Sequence, residues 1–144
     1  MTTELEEVIV AKLTGTAAIA AYVGDRLYPG RLPDDDPAQV YPAGVYQRID
    51  TVDLDGLVCS AEMPTARIQL DWYAASYGEV KLLARVVRAT LRRWDDAGTT
   101  PVILETILDN DRDWPADDEL GTAARKVYRV WQDWRITYRE AGGV

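Results

Sequence analysis

The stretch Gln69-Leu70-Asp71-Trp72-Tyr73-Ala74-Ala75-Ser76-Tyr77-Gly78-Glu79-Val80 changes its hydrophobic period partway along, and that change constrains the fold more than any other feature of the chain. Over residues 64–73, Ile68, Leu70 and Trp72 alternate with Arg67, Gln69, Asp71 and Tyr73. Successive side chains of a strand point to opposite faces, so one face packs and the other meets solvent or a neighbour. The alternation then stops. Ser76, with Glu79 three residues on, forms a capping-box pattern, and Leu83, Val86, Val87, Leu91 and Trp94 follow at helical spacing. A strand passes directly into an amphipathic helix, without a glycine-rich phosphate cradle between them.

The same reasoning orders the rest of the chain. Leu5, Val8, Ile9, Leu13, Ala17, Ile19, Ala20 and Tyr22 predict helix, broken near Gly15, with Thr16 as a cap for the second segment and Gly24-Asp25 as its end. Arg26 to Gly30 reads as a brief extended piece entering a polar loop around Asp34-Asp35-Asp36. Residues 43–50 alternate Val45, Gln47 and Ile49 against Tyr46, Arg48 and Asp50, and Asp53-Leu54-Asp55-Gly56 is placed for a hairpin tip. Asp95 to Gly98 is expected to close the long helix. Val102–Leu108 predicts a third main strand, and the acidic stretch from Asp109 to Glu119 a loop. Val127–Arg139 predicts a long fourth strand with Tyr128, Val130, Trp134, Ile136 and Tyr138 on one face. The expectation is an α+β domain over residues 1–144: an antiparallel sheet of about four main strands with two helices packed on one face, in the order α-β-β-α-β-β. Open strand edges in such a sheet invite association.

Composition narrows the functional classes. The chain of 144 residues has no histidine and a single cysteine, Cys59, so neither the usual zinc ligand set nor an internal disulfide is available. Without histidine, a Ser-His or Cys-His nucleophile cannot be built. The remaining serine-lysine pair near a helix start, Ser76 with Lys81, has no supporting motif, and capping explains Ser76. Asp109-Asn110-Asp111-Arg112-Asp113 imitates the start of a calcium loop, but Trp114 stands where glycine is needed and Leu120 where a bidentate glutamate is needed. A solvated acidic run is the better reading. No cofactor or metal is expected.

The formal net charge of −8 opposes broad adhesion to nucleic acid or anionic membranes. The N-terminal residues lack the basic start of a signal peptide and no apolar run is long enough to span a bilayer, so residence in the cytoplasm is the default expectation. Most of the basic residues are arginine, which favours planar pairing with carboxylates and points to partners made of protein. Lys81, Arg85, Arg88 and Arg92 line one face of the predicted helix. Trp131 falls on the polar strand face with Arg129, Asp133 and Arg135, where an aromatic flanked by arginines suits an interface anchor. Arg85, Arg88, Arg92, Arg129, Trp131 and Arg135 are therefore the candidate subunit or partner contacts.

Taken together, Ala20-Ala21-Tyr22-Val23-Gly24-Asp25-Arg26-Leu27-Tyr28-Pro29, Tyr41-Pro42-Ala43-Gly44-Val45-Tyr46, Gln69-Leu70-Asp71-Trp72-Tyr73-Ala74 and Tyr128-Arg129-Val130-Trp131-Gln132-Asp133-Trp134-Arg135-Ile136 resemble the tail-completion or tail-terminator proteins of long, non-contractile-tailed bacteriophages and prophages. The resemblance implies a non-enzymatic virion protein. It would form a homo-oligomeric ring, commonly a hexamer, that caps the tail tube, ends its polymerisation and presents a joining surface to the head connector or neck protein. DNA would meet it only in transit, and membranes not at all. Its place would be the head-tail junction of the virion, after assembly in the host cytoplasm. An adjacent neck or head-completion protein, a small carboxylate-dependent hydrolase using Asp111 or Asp113, and a non-viral binding module stand as alternatives. The acidic segments at 34–36 and 109–119 depart from the family pattern.

Overall fold

The computed structural model describes residues 4–32, 40–52, 63–117 and 127–139, with side chains described up to Asp113 in the third of these segments. The Asp34-Asp35-Asp36 loop, the Asp53–Gly56 tip, Cys59 and the Asp118-Glu119 end of the acidic stretch lie outside the described residues. Among the described residues the order is α1 (Leu5–Gly15), α2 (Ala17–Val23), β1 (Leu27–Pro29), β2 (Ala43–Val52), β3 (Thr65–Ala74), α3 (Tyr77–Leu91), β4 (Val102–Asp117) and β5 (Val127–Arg139). The four expected strands are present, with β1 as a fifth, and the first helical region is two helices separated at Thr16.

Local chemistry explains the breaks. Thr16 adopts an extended conformation between α1 and α2, and its hydroxyl donates to the Lys12 carbonyl at 2.7 Å. Its side chain therefore closes α1 instead of capping α2, contrary to expectation. Gly24, at φ +58, ends α2 in the left-handed region that glycine enters without steric cost. Arg26 then donates to the Tyr22 carbonyl at 2.9 Å and to the Pro42 carbonyl at 3.0 Å, tying the end of α2 to the chain entering β2. At the strand-to-helix junction, Ser76 Oγ accepts the Glu79 backbone N–H at 3.2 Å, as the capping pattern predicts.

The strands form one sheet in the order β1-β2-β3-β5-β4. Short β1 runs parallel to β2, and the other pairings are antiparallel. After β3 the chain crosses by α3 to the far edge, lays down β4, and returns as β5 between β4 and β3. β5 is consequently central, which accounts for its apolar and aromatic content.

All three helices pack on one sheet face. Leu5, Ile9, Leu13, Ile19 and Val23 from α1 and α2 join Val80, Leu83, Ala84, Val87 and Leu91 from α3 over Ile68, Leu70, Trp72, Trp134 and Ile136. Fully burying a large aliphatic or aromatic side chain contributes about 1.5–3 kcal/mol, so this layer dominates the stability of the domain. Gly44 lies opposite Trp72 in the β2–β3 register, and the indole occupies the space a side chain would need. On the other sheet face, Leu32 and Tyr41 pack against Val45, Tyr73 and Val127, covering one end of a surface expected to be open.

Three further expectations are corrected. The acidic stretch does not form a loop through Asp117, because β4 continues to that residue and pairs with β5 from Val102↔Arg139 to Asp117↔Val127. The long helix ends at Leu91, before Asp95–Gly98. Arg93 turns the chain at φ +61, and its N–H donates to the Thr106 carbonyl, so residues 93–96 run beside β4. Finally, a register shift between Arg48 and Asp50 interrupts the β2 alternation. Asp50 moves to the face of Arg67, while Arg48 stays on the helical side and pairs with Glu6.

Candidate functional site

On α3, Ser76 sets the start of the helix and thereby the direction of its basic stripe. Lys81 Nζ lies 2.7 Å from Asp113 Oδ1, and the Tyr77 hydroxyl donates to the other oxygen of that carboxylate. About two turns farther on, Arg88 pairs with Asp111. The acidic strand and half of the basic stripe thus neutralise each other within the molecule. Strand alternation places Asp111 and Asp113 on the helical face, while the extra residue at Asp109 turns that carboxylate toward Arg135, 2.8 Å away. Each aspartate of the calcium-like pattern therefore faces a cation side chain. Among the described residues no group of three or more acidic, cysteine or histidine side chains is arranged to hold a metal ion.

Behind this ion-pair row lies Gln132, which is fully buried. Its oxygen accepts the Trp72 indole N–H at 2.9 Å, and its amide donates to the Ala84 carbonyl at 3.1 Å and to Asp111 Oδ2 at 3.3 Å. One side chain satisfies groups on β3, α3 and β4. A buried polar group is tolerated when it is bonded in this way, and the connectivity fixes how the elements meet. The alternation of β5 places Gln132 among apolar positions, and that polar interruption was the available signal for its role.

The helix-free sheet face carries the second set of candidates. Arg129 Nη2 contacts Asp71 Oδ2 at 2.8 Å, Arg67 lies 3.8 Å from Asp133, and the Arg112 guanidinium sits 4.6 Å from the centre of the half-buried Trp131 ring. Such cation–π stacking is worth about 0.5–1 kcal/mol at exposed sites and more when desolvated. Burial pushes the Asp71 carboxyl up from its ordinary value, against the opposing pull of Arg129. Asp113 moves the other way, held down by its bonds from Lys81 and Tyr77.

The six sequence-predicted contacts consequently fall into two groups on opposite sides of the domain. Arg85, Arg88 and Arg92 are on the outer side of α3, and Arg129, Trp131 and Arg135 on the helix-free sheet face. Arg88, Arg129 and Arg135 make ion pairs within the chain. Arg85 and Arg92 are exposed and line a groove with Ala89 and Arg93, the last of which sequence reasoning missed because it lies beyond the helical repeat. Among the described residues, no helix is long and apolar enough to cross a membrane.

With this architecture in view, the chain matches the family described as Tail completion protein gp17 over residues 7–139. The chain belongs to that family. A tail completion protein of this kind has a structural role in tail assembly and is virion-associated. In fold, it is similar to a chain of the virion of a native gene transfer agent (GTA) particle, with a TM-score of 0.67, 15% sequence identity and coverage of 94% of each chain. No curated protein gives a significant sequence match. At such low identity the structural likeness speaks for the fold. The family match spans α1 through β5, so the tail completion assignment applies to the whole helix-sheet unit described here.

Proposed function

We propose that this tail completion protein forms a homo-oligomeric ring, a hexamer by family resemblance, that caps the tail tube, ends its polymerisation and joins the tube to the head connector. The family match over residues 7–139 carries this reading. The fold is compatible with it: a helix-on-sheet wedge whose strand edges, among the described residues, are unpaired along β4 beyond its contact with residues 93–96 on one side and along β2 beyond its short pairing with β1 on the other. The role is non-enzymatic. Asp111 and Asp113, the carboxylates a hydrolase would use, are each engaged by a cation side chain.

Assembly takes place in the host cytoplasm, and the finished ring sits at the head-tail junction. The contacts between subunits or with the tube involve Arg85 and Arg92 on α3 and the Arg129, Trp131 and Arg135 face of β5. Arg88 contributes chiefly by holding Asp111. The excess of acidic residues favours a channel that repels the DNA backbone and lets it pass.

Light scattering of the purified protein, followed by imaging after addition of tail tubes, tests the proposal. Closed rings on tube ends and shorter tubes are expected. A protein that stays monomeric at high concentration and with tubes overturns it, and rings that bind filled heads but not tubes favour a neck protein instead.

A further inference from the structure

The outer face of α3 holds more positive charge than the fold uses. Asp111 engages Arg88, but among the described residues no carboxylate is paired with Arg85, Arg92 or Arg93. All three are exposed around a groove of about 480 Å³ that also includes Ala89 and the Asp111-paired Arg88. Arginines at spacings of three and four along a helix repel one another. The negative end of the helix dipole favours cations in the last turn, which accounts for Arg88 and Arg92. It does not account for Arg85, which is nearly two turns from the end. Nor does it account for Arg93, which occupies the left-handed region at φ +61 where glycine is favoured. The Arg93 backbone N–H bonds to Thr106, but that bond makes no demand on the side chain. Residues retained in a sparsely populated conformation point toward a use for the side chain.

The groove has a consistent chemical character. Ala89 leaves room at its floor, and Leu82, seven residues earlier on the same side of the helix, is 49% exposed. Guanidinium groups beside an apolar strip match a partner that presents carboxylates next to a small hydrophobic side chain, since planar guanidinium pairs with carboxylate through two parallel hydrogen bonds. The net charge of −8 opposes any anionic occupant alike, so it is the apolar strip at Ala89 and Leu82 that favours a protein segment over a polyphosphate backbone.

We propose that the α3 groove formed by Arg85, Arg92 and Arg93 over Ala89 is a docking surface for an acidic protein segment. This assignment stands on the unpaired guanidiniums and does not require the ring reading. Fluorescence anisotropy with a labelled Glu- and Asp-rich peptide containing leucine, compared with a lysine-rich peptide and a DNA duplex, tests it. The acidic peptide is expected to bind, and the Arg85→Ala/Arg92→Ala double substitution to weaken binding by roughly tenfold or more through loss of charge-assisted bonds. Arg93→Gly is expected to raise thermal stability, by relieving the left-handed arginine, while also weakening binding; a side chain with only a structural role would not separate those readouts. Absence of acidic-peptide binding to the wild type, unchanged affinity in folded variants, or binding of DNA in preference to the peptide overturns the proposal. Circular dichroism establishes that each variant is folded.

Discussion

Gly44 shows how one residue can fix the meeting of two strands. A Cβ at this position would lie 2.7 Å from Trp72 Cε3 and 2.8 Å from Leu27 Cδ1, both on residues buried in the core. Gly44→Ala should therefore cost about 1–3 kcal/mol through overpacking, read as a lower denaturant midpoint with an unchanged slope. Gln132→Leu is expected to destabilise by roughly 1–3 kcal/mol for a different reason, because it leaves the buried Trp72 indole N–H without its acceptor. The two carboxylates with opposite shifts give opposite pH dependences. Asp71 is raised when folded, so its contribution is fully present below the unfolded value and is lost as pH rises through the folded one. Asp113 is lowered, so its contribution is present above the unfolded value and is lost as pH falls through the folded one. In denaturant melts across the carboxylate range, wild type should lose stability relative to Asp71→Asn as pH rises above about 4, and relative to Asp113→Asn as pH falls below about 4.

At the scale of elements, the pairing of α3 with the distal half of β4 is electrostatic where the proximal half is apolar. Reversing both cations in Lys81→Glu/Arg88→Glu should speed amide exchange at Asp109–Asp113 and leave Val102–Leu108 protected. Equal loosening of both halves would show that the ion pairs do not hold the extension. This strand also explains which structure was legible in the sequence. β3 and α3 were readable because Ile68, Leu70 and Trp72 keep a strict period and Ser76 with Glu79 marks the change. The Asp109-to-Asp113 segment has strand alternation too, but its charges are compensated by a helix more than twenty residues earlier, a tertiary effect that local polarity conceals. The bulge that moves Asp50 and the return of β5 between β3 and β4 are likewise set by long-range pairing. Among the candidate contacts, exposure at Arg85 and Arg92 followed from helical spacing. The internal engagement of Arg88, Arg129 and Arg135 did not, because their carboxylate partners are distant in the chain.

For the whole molecule, the tail completion family and the helix-on-sheet fold converge on an architectural task. The proposed ring makes a distinct stability prediction: linkage to assembly should raise the apparent melting temperature with protein concentration, measurable by differential scanning fluorimetry across a dilution series. A concentration-independent transition would count against a ring held together at those concentrations. The sheet order has a further implication for synthesis. β5 is last of the strands in the chain but central in the sheet, and both β3 and β4 depend on it for pairing. A nascent chain that has not yet released β5 from the ribosome cannot complete this sheet, so β3 and β4 come together only in a subunit whose translation has passed that strand.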